Sequence, residues 1–170
     1  MSLEKRNRIL VIRWIIYIVF TLCWMVVIYT FSAKNSTESQ AESNGVGMFI
    51  GKTVISDFEE WSAEEQQEFA EKWDYPIRKA AHMTEYAVLG FLLVGALIYK
   101  RKKYKLNAIV SLLVATLYAV SDEIHQYFVP GRACRLYDVG FDSAGAFVGV
   151  LVGTALIAWW NGKLESSSKK

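Results

Sequence analysis

Three short stretches of the sequence carry side chains that could bind an anion, move a proton or hold a metal. In the first, Arg78, His82 and Glu85 are spaced four and three apart, which puts them on one face of a helix. In the second, Tyr118, Asp122 and His125 follow the same rule, and Glu123 and Gln126 form an adjoining stripe. In the third, Asp138 and Asp142 are four apart. His82 or His125, oriented by Glu85 or Asp122, has the pairing that general acid–base work requires. Arg78 and Arg132 could each grip a phosphate or carboxylate through two donors. Arg135 is the weaker candidate, because loop arginines are common at lipid headgroups. His82, Glu85, Asp122, Glu123 and His125 are also metal-ligand types. However, no HExxH is present, and Asp122-Glu-x-His125 lacks its paired histidines and its base. The pattern therefore identifies neither a metal nor a cofactor. A plainer reading stands beside each of these: buried Arg–Glu and His–Asp pairs can tie helices together without doing chemistry.

The composition shows what kind of element must hold these side chains. Of 170 residues, 53% are hydrophobic and 21% are charged. The apolar residues are gathered into long blocks, whereas a soluble amphipathic helix interrupts such blocks at every turn. The blocks cover residues 9–31, 86–99, 106–121 and 139–160; Arg13 is the only charge in the first, and Asp142 lies near the start of the last. A membrane-spanning helix needs about 20 residues. The first and last blocks reach that length alone. The middle two reach it only with their polar ends, which puts those ends near the membrane boundary. The expected fold is all-α: a polytopic integral membrane protein with about four transmembrane helices, at 9–31, 78–99, 106–126 and 139–160. A soluble bundle of very apolar helices is the competing fold. The first block exceeds a signal-peptide core, and no small-x-small site follows it, so it is expected to be retained.

Basic residues set the expected orientation. Lys5, Arg6, Arg8 and Arg13 precede or open the first span. Lys100, Arg101, Lys102, Lys103 and Lys105 separate the second from the third, and Lys163, Lys169 and Lys170 follow the fourth. All fall on one side, which the positive-inside rule assigns to the cytoplasm together with both termini. The formal net charge of +2 conceals this asymmetry. Topology accounts for the basic run, and no nucleic-acid motif accompanies it; contact with anionic lipid is the expected consequence. Cys23 lies within the first span and Cys134 in the last outer loop. The difference in depth argues against a disulfide, and Cys23 is expected to pack as a small apolar side chain.

Residues 32–77 are expected to form an extracytoplasmic loop with a short amphipathic helix. Residues 32–43 read as loop, and 45–55 as a short interfacial helix. Ser62 and Glu65 have capping-box spacing at the start of a helix over 63–72. Its glutamates would face solvent, and Trp61, Phe69 and Trp73 would anchor it among headgroups. Pro76 is expected to restart the chain as the second span. Pro130 and Gly131 mark a turn that aims Arg132 at the outer surface. Gly145, Gly149 and Gly153 make a close-packing face, within the monomer or in a homo-oligomer. Residues 162–170 are expected to form a short disordered tail.

Taken together, these motifs resemble a known family. The run from Arg78 through His82 to Glu85 and Tyr86 resembles the RKxxHxxEY signature of the VanZ-like family. The run Asp122, Glu123, His125, Gln126, Phe128 and Pro130-Gly131-Arg132 is similar to its DExHQxFxPGR signature. Asp138, Asp142 and Gly145 match its DxxxDxxG ending, and Phe31-Ser32 its Phe-Ser after the first span. The resemblance covers residues 13–159, and the acidic insertion at 57–73 is its least typical part. It implies a bacterial cell-envelope protein, multi-pass in the plasma membrane, and it extends to low-level teicoplanin resistance without supplying a mechanism or established catalytic residues. Three hypotheses follow. The protein binds or modifies an anionic lipid or lipid-linked cell-wall precursor at the outer leaflet. Alternatively, the polar cluster is a folding network in a structural or interaction protein. The weakest is transport, because no inverted repeat is visible.

Overall fold

A computed structural model describes residues 3–97 and 103–168. Lys100, Arg101, Lys102, Lys169 and Lys170 lie outside them, as do residues 98–99 at the end of the expected second span and the side chains of Lys5 and Arg6. The described residues form helices α1 (Leu3–Ser32), α2 (Ser36–Val54), α3 (Ala63–Leu97), α4 (Tyr104–Tyr127) and α5 (Leu136–Ser168). A 3-10 turn, Phe58–Glu60, joins α2 to α3.

Helices α1, α3, α4 and α5 are long and apolar enough to cross a membrane. Exposed Ile15, Val19, Leu22 and Val26 of α1, Ile109, Leu113 and Leu117 of α4, and Val148, Leu151 and Leu156 of α5 cover the outside of the bundle. In water such a surface would drive association; in a bilayer it is the surface the solvent wants. The chain is an all-α, multi-pass membrane protein, an arrangement consistent with the plasma membrane.

Helix α3 packs on each of the other four. Gly145, Gly149 and Gly153 of α5 lie against the backbone of Met83, Ala87 and Phe91 of α3. Residue numbers rise together along this seam, so α3 and α5 run parallel. A side chain at Gly149 would collide with the Ala87 carbonyl oxygen, and one at Gly90 of α3 would collide with the Ala146 carbonyl oxygen of α5. The glycine face is thus used inside the monomer, where close backbone approach replaces the hydrophobic drive that lipid removes. Helix α1 runs antiparallel to α3. Its indole N–H groups at Trp14 and Trp24 donate to the carbonyls of Ala96 and Glu85, each at 2.8 Å. Tyr118 of α4 donates to the Met25 carbonyl at 2.7 Å. Among these ties lies a core of Ile28, Tyr86, Leu89, Leu93, Ala115, Ala119 and Ala146.

The segment between the first two spans differs from expectation. Residues 36–43 are not loop but the first half of α2. Asn35 caps this helix through a reciprocal box with Glu38. The buried Ser43, Gly47 and Gly51 then form a face of small residues against α3 and Phe58. Ser62 and Glu65 do form a capping box. The helix it starts, however, runs without a break through Pro76 to Leu97. Pro76 therefore lies inside α3 and starts nothing. An interior proline loses one backbone hydrogen bond and crowds the preceding turn. Side-chain ties brace the site: Asp74 accepts the Ser43 hydroxyl of α2 and pairs with Arg78 at 2.8 Å. Phe58, fully buried, meets Trp61 and Phe69 in an aromatic cluster, and Phe69 also meets Trp73. Two smaller differences stand out. Helix α5 continues to Ser168 where a disordered tail was expected; Lys163, Leu164 and Glu165 favour helix, and no proline stops it. Cys23 is exposed on α1 and not packed inside; Cys134 is also exposed, and both are free thiols.

Candidate functional site

The ends of α1 and α4, the middle of α3 and the start of α5 meet at one end of the bundle. Several contacts fasten them. The Ser36 N–H donates to the Pro130 carbonyl at 3.4 Å, and Arg132 Nε donates to the Lys34 carbonyl at 3.2 Å. Lys79 of α3 pairs with Asp138 of α5 at 2.5 Å. These groups surround a chamber of about 280 Å³. Ser36 and Gln40 of α2 line one wall, and Asp74, Tyr75, Arg78, Lys79 and His82 of α3 another. Glu123 and Gln126 of α4, Gly131, Arg132, Ala133 and Arg135 of the loop, and Asp138 and Asp142 of α5 complete it.

Seven of the ten polar candidates therefore share one chamber: Arg78, His82, Glu123, Gln126, Arg132, Asp138 and Asp142. Glu85, Asp122 and His125 do not line it. Glu85 lies one turn along α3, its Oε2 3.9 Å from His82 Nδ1. Asp122 is buried between α4 and α1, where its Oδ2 accepts the Ser32 hydroxyl at 2.7 Å and the Gln126 amide at 3.2 Å. His125 turns toward α1 and lies over Tyr29, with ring centroids 4.6 Å apart. Helix α4 thus sends one polar stripe into the chamber and another against α1.

The chamber is built from paired charges. Four lining residues are basic (Arg78, Lys79, Arg132, Arg135) and four are acidic (Asp74, Glu123, Asp138, Asp142). Arg78 is held by Asp74. Lys79, besides its ion pair, lies 5.4 Å from the centre of the Tyr75 ring, 5.5 Å from Tyr137 and 5.9 Å from Phe141. Glu123 accepts the backbone N–H of Arg135 at 2.8 Å and so pins the loop. The Arg135 guanidinium turns outward to the Tyr137 hydroxyl at 2.7 Å. Gly131 adopts φ 74, which a residue with a side chain rarely does, and packs against the Ser36 hydroxyl. That turn sends Arg132 back over the chamber. Burial, and then the neighbouring Arg78 guanidinium, lower the Arg132 pKa from its ordinary value.

Four buried polar atoms on these walls have no hydrogen-bond partner, Arg78 Nε, His82 Nδ1, Asp138 Oδ1 and Asp142 Oδ2, and of these Asp138 Oδ1 has the Lys79 ion pair. His82 Nδ1 is 3.9 Å from both Glu85 Oε2 and Asp142 Oδ1. An imidazole between two carboxyl groups is within one small shift, or one water, of exchanging a proton with either. Among the described residues, no group of three or more His, Cys, Asp or Glu side chains is arranged to hold a metal ion.

Sequence reasoning left out Asp74, Tyr75, Lys79, Ser36 and Gln40. Asp74 had a readable signal, since it stands four residues before Arg78. Lys79 stands inside the first motif. Ser36 and Gln40 gave no signal, because they reach the chamber only through the unexpected first half of α2.

Four membrane-crossing helices that close a mixed-charge chamber at one end define a polytopic membrane protein with a built polar site. A family model described as VanZ/LLP1 matches residues 17–158. The chain belongs to the VanZ/LLP1 family. No curated protein matches it, and no solved structure does.

Proposed function

We propose that the chamber binds the anionic headgroup of a membrane lipid or lipid-linked cell-wall precursor at the outer leaflet. The observation that carries this reading is the pair Arg78 and Arg132 in the walls of one chamber at a helix-end boundary. Guanidinium groups suit phosphate because their donors match its oxygens in pairs. The acyl or prenyl tail would stay in the bilayer beside the bundle while the headgroup enters. If the headgroup is also chemically altered, His82 is the residue disposed to move a proton, with Glu85 and Asp142 setting its orientation. Family membership extends the proposal to an influence on glycopeptide susceptibility.

The test is binding of a labelled anionic lipid to purified protein, wild type against Arg132→Ala, with turnover measured in parallel for His82→Ala. Loss of a charge-assisted clamp is expected to weaken binding about tenfold or more. Unchanged binding in a folded Arg132→Ala variant would remove the reading. A second reading, a folding network without a ligand, is favoured by the Ser32–Asp122–Gln126 tie. On that reading the same substitutions lower thermal stability and leave no binding to lose.

A further inference from the structure

We infer that the ligand of this chamber carries an amine as well as a phosphate, a zwitterionic headgroup of the phosphoethanolamine class. The inference rests on the anion-binding reading above and narrows it.

Four acidic side chains line the chamber, whereas the Arg135 guanidinium turns outward and leaves three basic ones, Arg78, Lys79 and Arg132. A bare phosphate would therefore deepen an existing excess of negative charge, close to the low-dielectric interior where unbalanced charge is costly. It would also lie beside Glu123 and Asp142. A headgroup with its own ammonium adds no net charge.

Buried polar groups in folded proteins find partners, and those that lack one call for an explanation. Arg78 Nε is a donor without an acceptor, and Asp142 Oδ2 is an acceptor without a donor. Both residues line the same chamber, and Asp142 is only 1% exposed. The other acids are engaged: Asp74 with Arg78, Asp138 with Lys79, and Glu123 with the Arg135 backbone. A ligand that satisfies both orphans must accept at one end and donate at the other. Phosphate offers only acceptors, and a primary ammonium offers three donors. A neutral sugar could do both, but it would leave Arg132, whose guanidinium Nε is tied to the Lys34 carbonyl and not to a carboxylate, without an anion. Arg132 and Arg78 are therefore assigned to the phosphate, and Asp142 to the amine.

The experiment uses the purified full chain and short-chain lipids with dihexanoyl tails: phosphatidylethanolamine, phosphatidate and phosphatidylcholine. Affinities are read by calorimetry, and folding by thermal melts. The ethanolamine lipid is expected to bind about tenfold or more tighter than phosphatidate, the worth of one charge-assisted hydrogen bond. It is also expected to exceed the choline lipid, whose quaternary nitrogen has no N–H to donate. The isosteric Asp142→Asn variant is expected to bring the ethanolamine-to-phosphatidate ratio close to one. Phosphatidate binding as tightly as the ethanolamine lipid overturns the amine and leaves the anion site standing. Equal binding of choline and ethanolamine lipids overturns the assignment of Asp142 as acceptor. Binding of none of the three overturns both readings.

Discussion

At the scale of single residues, the candidates separate by what they touch. Asp122 looks as reactive in the sequence as Asp142, yet it is buried against Ser32 and Gln126, away from the chamber. Asp122→Ala takes the acceptor from the Ser32 hydroxyl and the nearer acceptor from the Gln126 amide, leaving only their long mutual contact at 3.4 Å, at a cost of about 1–3 kcal/mol. The expected outcome is a lower melting temperature with headgroup affinity retained in the folded fraction; a normal melt with lost binding would return Asp122 to the site. The sequence could nominate these residues but could not sort them. Helical spacing states which side chains share a face, but not which neighbour that face meets. On α4 the stripes are adjacent, and one meets α1 while the other meets the chamber. Asp142 and Asp138 illustrate the same limit. They are one turn apart on α5, but Lys79 reaches only Asp138 with an ion pair.

At the scale of helices, the four membrane crossings were legible because lipid imposes a simple rule on composition. The glycine repeat of α5 was legible as a packing face, though its partner was not. That partner, the α3 backbone, makes a sharp prediction. Gly149→Ala puts a methyl group against the fixed Ala87 carbonyl, so the helices must part, at about 1–3 kcal/mol. Gly140→Ala, with nothing within 4 Å, is the matched control and should melt no lower than wild type. Equal melts for both variants would place the α3–α5 seam elsewhere. Only the second half of helix α2 was legible, for a physical reason. Its first half is rich in Ser, Asn and Glu, which suit turns as well as helix starts. The helix is settled by its Asn35–Glu38 box and by a small-residue face that fits only because α3 lies beside it. Pro76 misled in the same way: local chemistry marks a helix start, and tertiary contacts on both sides of it overrule that preference.

For the whole molecule, the topology predicts that Arg8, Arg13, Lys103, Lys105 and Lys163 gather at the end opposite the chamber, as the helix directions require. Arg13 indeed reaches Asn161 at 3.4 Å, and Asn161 reaches Tyr104 at 3.2 Å, across three helices. The positive-inside rule then predicts that the chamber faces outward. Native thiols test this. Cys134 is exposed in the chamber loop, so a membrane-impermeant maleimide should label it in intact cells, and Cys134→Ser should remove that signal. Labelling that appears only after lysis would invert the molecule. Helix α3 has 35 residues, about 52 Å of rod against a hydrocarbon core of about 30 Å. About 20 Å of it therefore stands clear of the bilayer core, carrying α2 on its flank. Mechanically this makes α3 a lever. Its fulcrum is the glycine seam with α5, its long arm is the projecting hairpin, and the Ser43–Asp74–Arg78 ties stiffen the Pro76 turn between them. No loop intervenes to absorb a displacement. A push on the hairpin tip arrives at Arg78, Lys79 and His82 as movement of the chamber wall itself.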